Sequence, residues 1–202
     1  MKVNLTILLL LTLHLTVAGQ ASDKFQTGYF IDKFGERYDG ELILQPGDGK
    51  NPGALVFRES KNGKKESYGP DYVKAFVIAA DSFAVIEKIP LANRKVLAMD
   101  FARITLRTQN GTVYLHELSV QKKSGHASSA HLVTDEQLRY IIQSGNKLTV
   151  LNKGNLKEFA NIVPDHPDLR KRILARKVKL ENIGSAIDEY KKFKTEKAFP
   201  KQ

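Results

Sequence analysis

Histidine, serine and the carboxylates are the side chains in this sequence able to move protons or attack a substrate. Beyond the first twenty residues the histidines are His116, His126, His131 and His166. His126 and His131 stand five apart with no acidic residue following at a ligand spacing. A zinc site takes three or four clustered protein ligands, so this pattern offers no metal centre. His116 is followed directly by Glu117, but neighbours along a strand point to opposite faces of a sheet, which argues against an acid–base pair. Ser67 and Ser82 stand alone; there is no nucleophile elbow, no glycine-rich phosphate loop, and no Ser-x-x-Lys arrangement tied to a fitting fold. The acidic residues are scattered, with no pair to set across a cleft for glycoside hydrolysis. Asp48 and Asn51 lack the regular acidic ladder of a calcium loop. Local motifs therefore point to no catalytic residue, metal or cofactor. An envelope hydrolase whose site is assembled from distant residues stays open as an alternative, because such a site leaves no local motif.

One constellation has a direct physical reading. Arg170, Lys171, Arg172, Arg176, Lys177 and Lys179 surround an apolar stripe of Leu169, Ile173 and Leu174. A basic helix of this kind can lie along an anionic partner: an anionic lipid surface, a lipopolysaccharide head group or an acidic glycan. It equally describes a solvated helix packing its stripe on a sheet. Nucleic acid is not expected, since no aromatic platform is interleaved with the charges. The charge is concentrated at this end. Leu169 to Gln202 carries 11 basic residues against 4 acidic ones, while the chain from residue 21 to 168 carries 20 against 18.

Position in the cell follows from the other end. Lys2, the apolar run Leu5 to Val17 and the small residues Ala18, Gly19 and Ala21 have the layout of a secretory signal peptide, with cleavage expected after Gly19 or Ala21. The run is too short for a comfortable membrane span, and no second apolar run approaches spanning length. The chain is therefore not expected to be an integral membrane protein. It holds no cysteine. Small secreted eukaryotic domains are usually stapled by disulfides, so an exported chain without them reads as bacterial and reliant on its core. Asn110-Gly111-Thr112 matches a glycosylation acceptor formally, but a turn explains it better.

That turn belongs to the stretch which organises the chain. Phe101 to Val120 holds two β-rich runs joined by Asn110-Gly111, a strong hairpin signal. With those two as the central residues, Leu106 faces Leu115, Arg107 faces Tyr114 and Phe101 faces Val120. Phe25 to Gly35 and Arg37 to Gln45 form another expected pair, followed by a breaker-rich loop, Pro46 to Gly53. Leu55 opens a strand that returns through Asn62-Gly63. Lys74 to Ala79 and Ser82 to Ile89 are the most apolar strands. Leu91 to Asp100 reads as a link, and Lys122 to Thr134 as a loop. Leu138 to Gln143 and Lys147 to Leu151 pair around Ser144-Gly145-Asn146. The period then changes. Asn155 is placed to cap a helix bearing Leu156, Phe159, Ala160 and Val163. Asp165-His166-Pro167 starts a second helix. Ile183, Ile187 and Tyr190 mark a third, and Lys194 to Gln202 is expected to fray.

The expected organisation is a signal peptide over 1–20, an antiparallel β-rich domain over 21–152 and a basic helical region over 153–202 packing on the sheet. The fold class is α+β: an antiparallel β-meander, as a curled sheet or partly closed barrel, followed by C-terminal α-helices. The function expected from this is an exported, non-enzymatic envelope protein contacting an anionic surface or glycan. A protein–protein interaction module whose sheet edge accepts a strand is a further alternative.

Gly28-Tyr29-Phe30-Ile31 with Gly40, Leu55-Val56-Phe57, Tyr68 to Phe76, Val113 to Glu117, and Ile162 to Leu169 followed by a basic helix and Tyr190 form a pattern. In it the chain resembles uncharacterised secreted proteins of Bacteroidetes-type bacteria. The resemblance implies export and this architecture, and no activity or site residue. Where such proteins often show Asp-Cys-Pro, this chain has Asp165-His166-Pro167, which removes any thiol role there.

Overall fold

The computed structural model describes residues 24–91, 95–124 and 131–199, with the backbone alone for 121–124 and 131–133. The expected signal peptide and His126 lie outside the described residues. Ten strands form one antiparallel sheet: β1 Gln26–Asp32, β2 Arg37–Gln45, β3 Ala54–Arg58, β4 Glu66–Tyr68, β5 Val73–Ile78, β6 Asp81–Pro90, β7 Val96–Thr108, β8 Gly111–Ser124, β9 His131–Ser144 and β10 Lys147–Val150. Their order is β10-β9-β8-β7-β6-β5-β1-β2-β3-β4. Three helices follow, α1 Lys157–Ile162, α2 Pro167–Leu174 and α3 Ile183–Ala198. This is the expected α+β class, with the sheet open rather than closed.

The sheet curls twice, in opposite senses. Phe30, Leu42, Leu55, Val73, Phe76 and Phe101 share one core although β7 lies far from β2 and β3 in strand order, so the face carrying Phe101 folds inward. Ile86, Ile89, Leu97, Ala102, Tyr114 and Ile141 form a second core with Leu148 and Val150, on the opposite face, and β10 comes back against β6. Strand alternation makes this possible: Phe101 and Ala102 are successive residues and serve different cores. A third core joins Leu106, Val113 and Ile142 to Phe159, Leu169, Ile173, Ile183, Ile187 and Tyr190, which seats all three helices on the sheet. Each fully buried Val, Leu, Ile or Phe in these cores contributes on the order of 1.5–3 kcal/mol by leaving water.

The organising hairpin has a different register from the expected one. Thr108 pairs with Gly111, Arg107 with Thr112 and Leu106 with Val113, so Gln109 and Asn110 are the central residues. A bulge between Ile104 and Leu106 then brings Arg103 opposite Leu115. The reason lies in packing. Gly111 takes the positive φ, 149°, and a Cβ there would stand 2.3 Å from the Gln143 carbonyl oxygen of β9. Gly111 is thus spent on the close approach of a neighbouring strand rather than on the turn. The second turn repeats the shift, Gly63 N–H donating to Ser60 O and leaving Lys61-Asn62 in the centre. The third follows expectation, with Ser144 opposite Lys147 and Gly145 at φ 57°.

Two segments expected to be irregular are strand. Leu91 to Asp100 contains the start of β7, and most of Lys122 to Thr134 belongs to the arms of β8 and β9, paired from Gln121↔Thr134 to Ser124↔His131. In the helical part, Pro167 and His166 open α2 as expected, with His166 Nδ1 accepting from Leu169 N–H. Asn155 does not cap α1 through its side chain, which turns back to accept from Asn152 N–H and donate to Val150 O. α3 runs to Ala198, past the expected fraying point at Lys194.

Candidate functional site

Three places bring chemically capable side chains together. The first is an internal line across β7, β8 and β9. β8 and β9 stay paired throughout, with His116 opposite Arg139, while β7 leaves β8 beyond Arg103↔Leu115. The Pro46–Gly53 loop closes over the parting, where Ser119 N–H donates to Gly47 O at 2.7 Å. A Cβ on Gly47 would stand 2.6 Å from Asn51 O and 2.9 Å from Asp100 Oδ2, so only glycine passes there. Beneath the loop, Asp100 Oδ1 accepts from Gly53 N–H at 2.7 Å and Phe101 N–H at 2.8 Å. Asp100 Oδ2 and His116 Nε2 are 2.9 Å apart, and Arg139 Nη2 is 2.8 Å from His116 Nδ1. A carboxylate only accepts and a guanidinium only donates, so the tautomer with its proton on Nε2 satisfies both neighbours. The His116 side chain is 0 % exposed. This line pins a loop.

The second place is a crevice of about 100 Å³ on the opposite face, lined by Phe101, Arg103, Leu115 and Glu117. Burial, with Glu136 adding to it, holds the Glu117 carboxyl above its ordinary range, while Arg103 pulls the other way. Arg103 is itself engaged with Asp81 at 3.0 Å. The volume lies below the roughly 300–1,000 Å³ of small-molecule sites.

The third lies in the helical layer and gathers part of the basic cluster. All six expected residues are exposed, but they face different ways. Arg172 is held by Glu189 of α3, which also meets His166 Nε2 at 3.5 Å. Arg170 faces the tips of the β7–β8 and β9–β10 hairpins, beside Asn110 and Ser144. Lys171 and Lys177 stand on the outer surface. Arg176 and Lys179 border a groove of about 450 Å³, together with Lys153 and Lys157. Its apolar lining comes from Leu156, Ile173, Leu174, Val178 and Leu180, with Glu181 as the acidic member. Leu174, expected within the packed stripe, is 50 % exposed. None of Lys153, Lys157, Arg176 and Lys179 makes an ion pair with a described residue. Lys153 and Lys157 were not legible in the sequence as members, because the start of α1 reaches the end of α2 only through the fold.

The backbone at this groove is strained. α2 ends with Arg176 N–H donating to Ile173 O and Lys177 N–H to Arg172 O, the bonding of a Schellman turn. The residue at its left-handed position is normally glycine; here it is Arg176, at φ 56°. A side chain with a Cβ costs roughly 1–2 kcal/mol in that conformation. The strain sets a long cation on the rim of the apolar groove.

Among the described residues no group of histidine, cysteine and carboxylate side chains is placed to hold a metal ion. No helix among them is long and apolar enough to cross a membrane. No protein-family model, curated protein or solved structure matches the chain.

Proposed function

We propose that this protein is an exported, non-enzymatic component of a bacterial envelope that holds an anionic, acyl-bearing molecule on its helical layer. Anionic lipid and lipopolysaccharide share that chemistry. The observation carrying the proposal is the groove in which Lys153, Lys157, Arg176 and Lys179 surround Ile173 and Leu174. Four cations that form no ion pair with a described residue attract an anionic head group, and the apolar lining gives an attached chain a place out of water. An acidic glycan would use the cations and leave that lining wet, so the acyl-bearing ligand is favoured. Export rests on the leader-like residues 1 to 20 and on the resemblance to secreted bacterial proteins.

Sedimentation of the chain without its first twenty residues, with phosphatidylglycerol vesicles, tests the reading. Binding is expected at low salt and is expected to fall as added salt shortens the reach of the charges from about 30 Å at 0.01 M toward 8 Å at 0.15 M. No binding at low salt, or equal binding to neutral phosphatidylcholine vesicles, contradicts it.

A further inference from the structure

On the far side of the helical layer, the sheet leaves part of one strand uncovered. β6 accompanies β7 only as far as Phe83↔Arg103, because β6 begins at Asp81 just beyond its turn with β5. β7 continues to Thr108, and over Ile104 to Thr108 its strand partner is β8 alone. Half of the backbone groups in this stretch point away from β8, and unpaired strand edges template the addition of another strand. Ordinarily such an edge is short, charged or covered. The sheet's outermost strands are short, β4 spanning 3 residues and β10 spanning 4. The β7 edge instead faces a groove of about 770 Å³ whose opposite wall is α3, through Tyr190, Lys191, Lys194 and Thr195.

A strand laid beside β7 sits about 4.8 Å away and sends alternate side chains to the two faces of the sheet. On one face, shared with Leu106, lie the helices; there Lys191 and Lys194 have half-exposed side chains, Lys194 paired with Asp165 and Lys191 in a loose 3.9 Å contact with Asp188. On the other face stands Arg107, exposed and one residue out of phase with Leu106. A guest strand therefore meets positive charge on both sides, and Asp165 is the acidic residue of the lining. We propose that the β7–α3 groove accepts an extended acidic peptide, which adds to the sheet along Ile104 to Thr108. Main-chain hydrogen bonds hold the guest and the cations select its side chains. This surface is separate from the amphiphile groove and does not depend on it.

The test uses a fluorescein-labelled Glu-Val-Glu-Thr-Glu-Val peptide, its Lys-for-Glu analogue, and a version N-methylated at alternate amides. Fluorescence anisotropy reads binding, and amide hydrogen exchange reads Ile104 to Thr108. The acidic peptide is expected to bind, to slow exchange in that stretch, and to weaken at least tenfold on N-methylation in one of the two phases. Arg107→Glu with Lys191→Glu, both exposed positions, is expected to weaken it to a similar degree while leaving the thermal unfolding midpoint unchanged. Equal binding of the lysine peptide, indifference to N-methylation in both phases, or no binding at millimolar peptide overturns the proposal.

Discussion

At the scale of single residues, the Asp100–His116–Arg139 line is a point where one substitution reaches the whole core. Asp100→Ala strips a buried imidazole and two backbone amides of their acceptor. Removing one member of such a network costs about 3 kcal/mol. The urea midpoint is expected to drop accordingly; an unchanged midpoint would mean the loop does not need its pin. Arg176 makes the opposite prediction. Arg176→Gly relieves the φ of 56° and is expected to stabilise the fold by about 1 kcal/mol while weakening vesicle binding. A variant that is no more stable contradicts the assignment of strain. Little of this was visible in the sequence. Asp100 fell in a stretch read as a link, and its partners stand 16 and 47 residues away. Alternation did separate His116 from Glu117 correctly, because that is a property of any strand.

Elements were legible where the period was strong and misread where packing chose between local options. Leu169 and Ile173, and Ile183, Ile187 and Tyr190, are buried as their helical spacing predicts. The Asn-Gly pair at 110–111 did announce a hairpin, but the turn moved by one residue and the pairing by two, because β9 passes too close to Gly111 for a side chain. Gly111→Ala is therefore expected to destabilise by more than about 1 kcal/mol, read from the same urea titration. A near-neutral Gly111→Ala would contradict the close approach of β9 to this glycine.

The α2 start and α3 are joined by Tyr190 Oη–H donating to Asp165 Oδ1 at 2.5 Å, with Lys194 Nζ at 2.9 Å from Oδ2. The tyrosine hydrogen bond, then the lysine, hold the Asp165 carboxyl below its ordinary 3.8. Its contribution is thus present above about pH 4 and lost as pH falls through the lowered folded value. Burial, and then the bond to Asp165, push Tyr190 above its ordinary 10.0. That contribution is present below about pH 10 and lost as pH rises further. Asp165→Asn is expected to flatten the acid limb of a stability–pH profile; an unaltered limb would place the acid sensitivity elsewhere.

For the molecule as a whole, composition and period indicated an antiparallel meander with appended helices, and both are present. The double curl was not readable, since it depends on which of two faces each strand buries against distant strands. The same holds for the basic cluster. Six cations in sequence suggested one charged face, and the fold divides them, adding Lys153 and Lys157 to Arg176 and Lys179 around an apolar groove. The division gives the central claim its sharpest test. Two triple variants are compared in salt-titrated sedimentation with phosphatidylglycerol vesicles: Lys153→Ala, Lys157→Ala and Lys179→Ala at the groove, and Arg170→Ala, Lys171→Ala and Lys177→Ala outside it. Both remove the same charge. At about 1 kcal/mol per cation at an anionic surface, three cations correspond to roughly a hundredfold. The groove variant is expected to lose affinity on that scale, and the outer variant less than about tenfold. Equal losses would mean that the helical layer acts only as a diffuse positive surface, and would contradict a site at the groove.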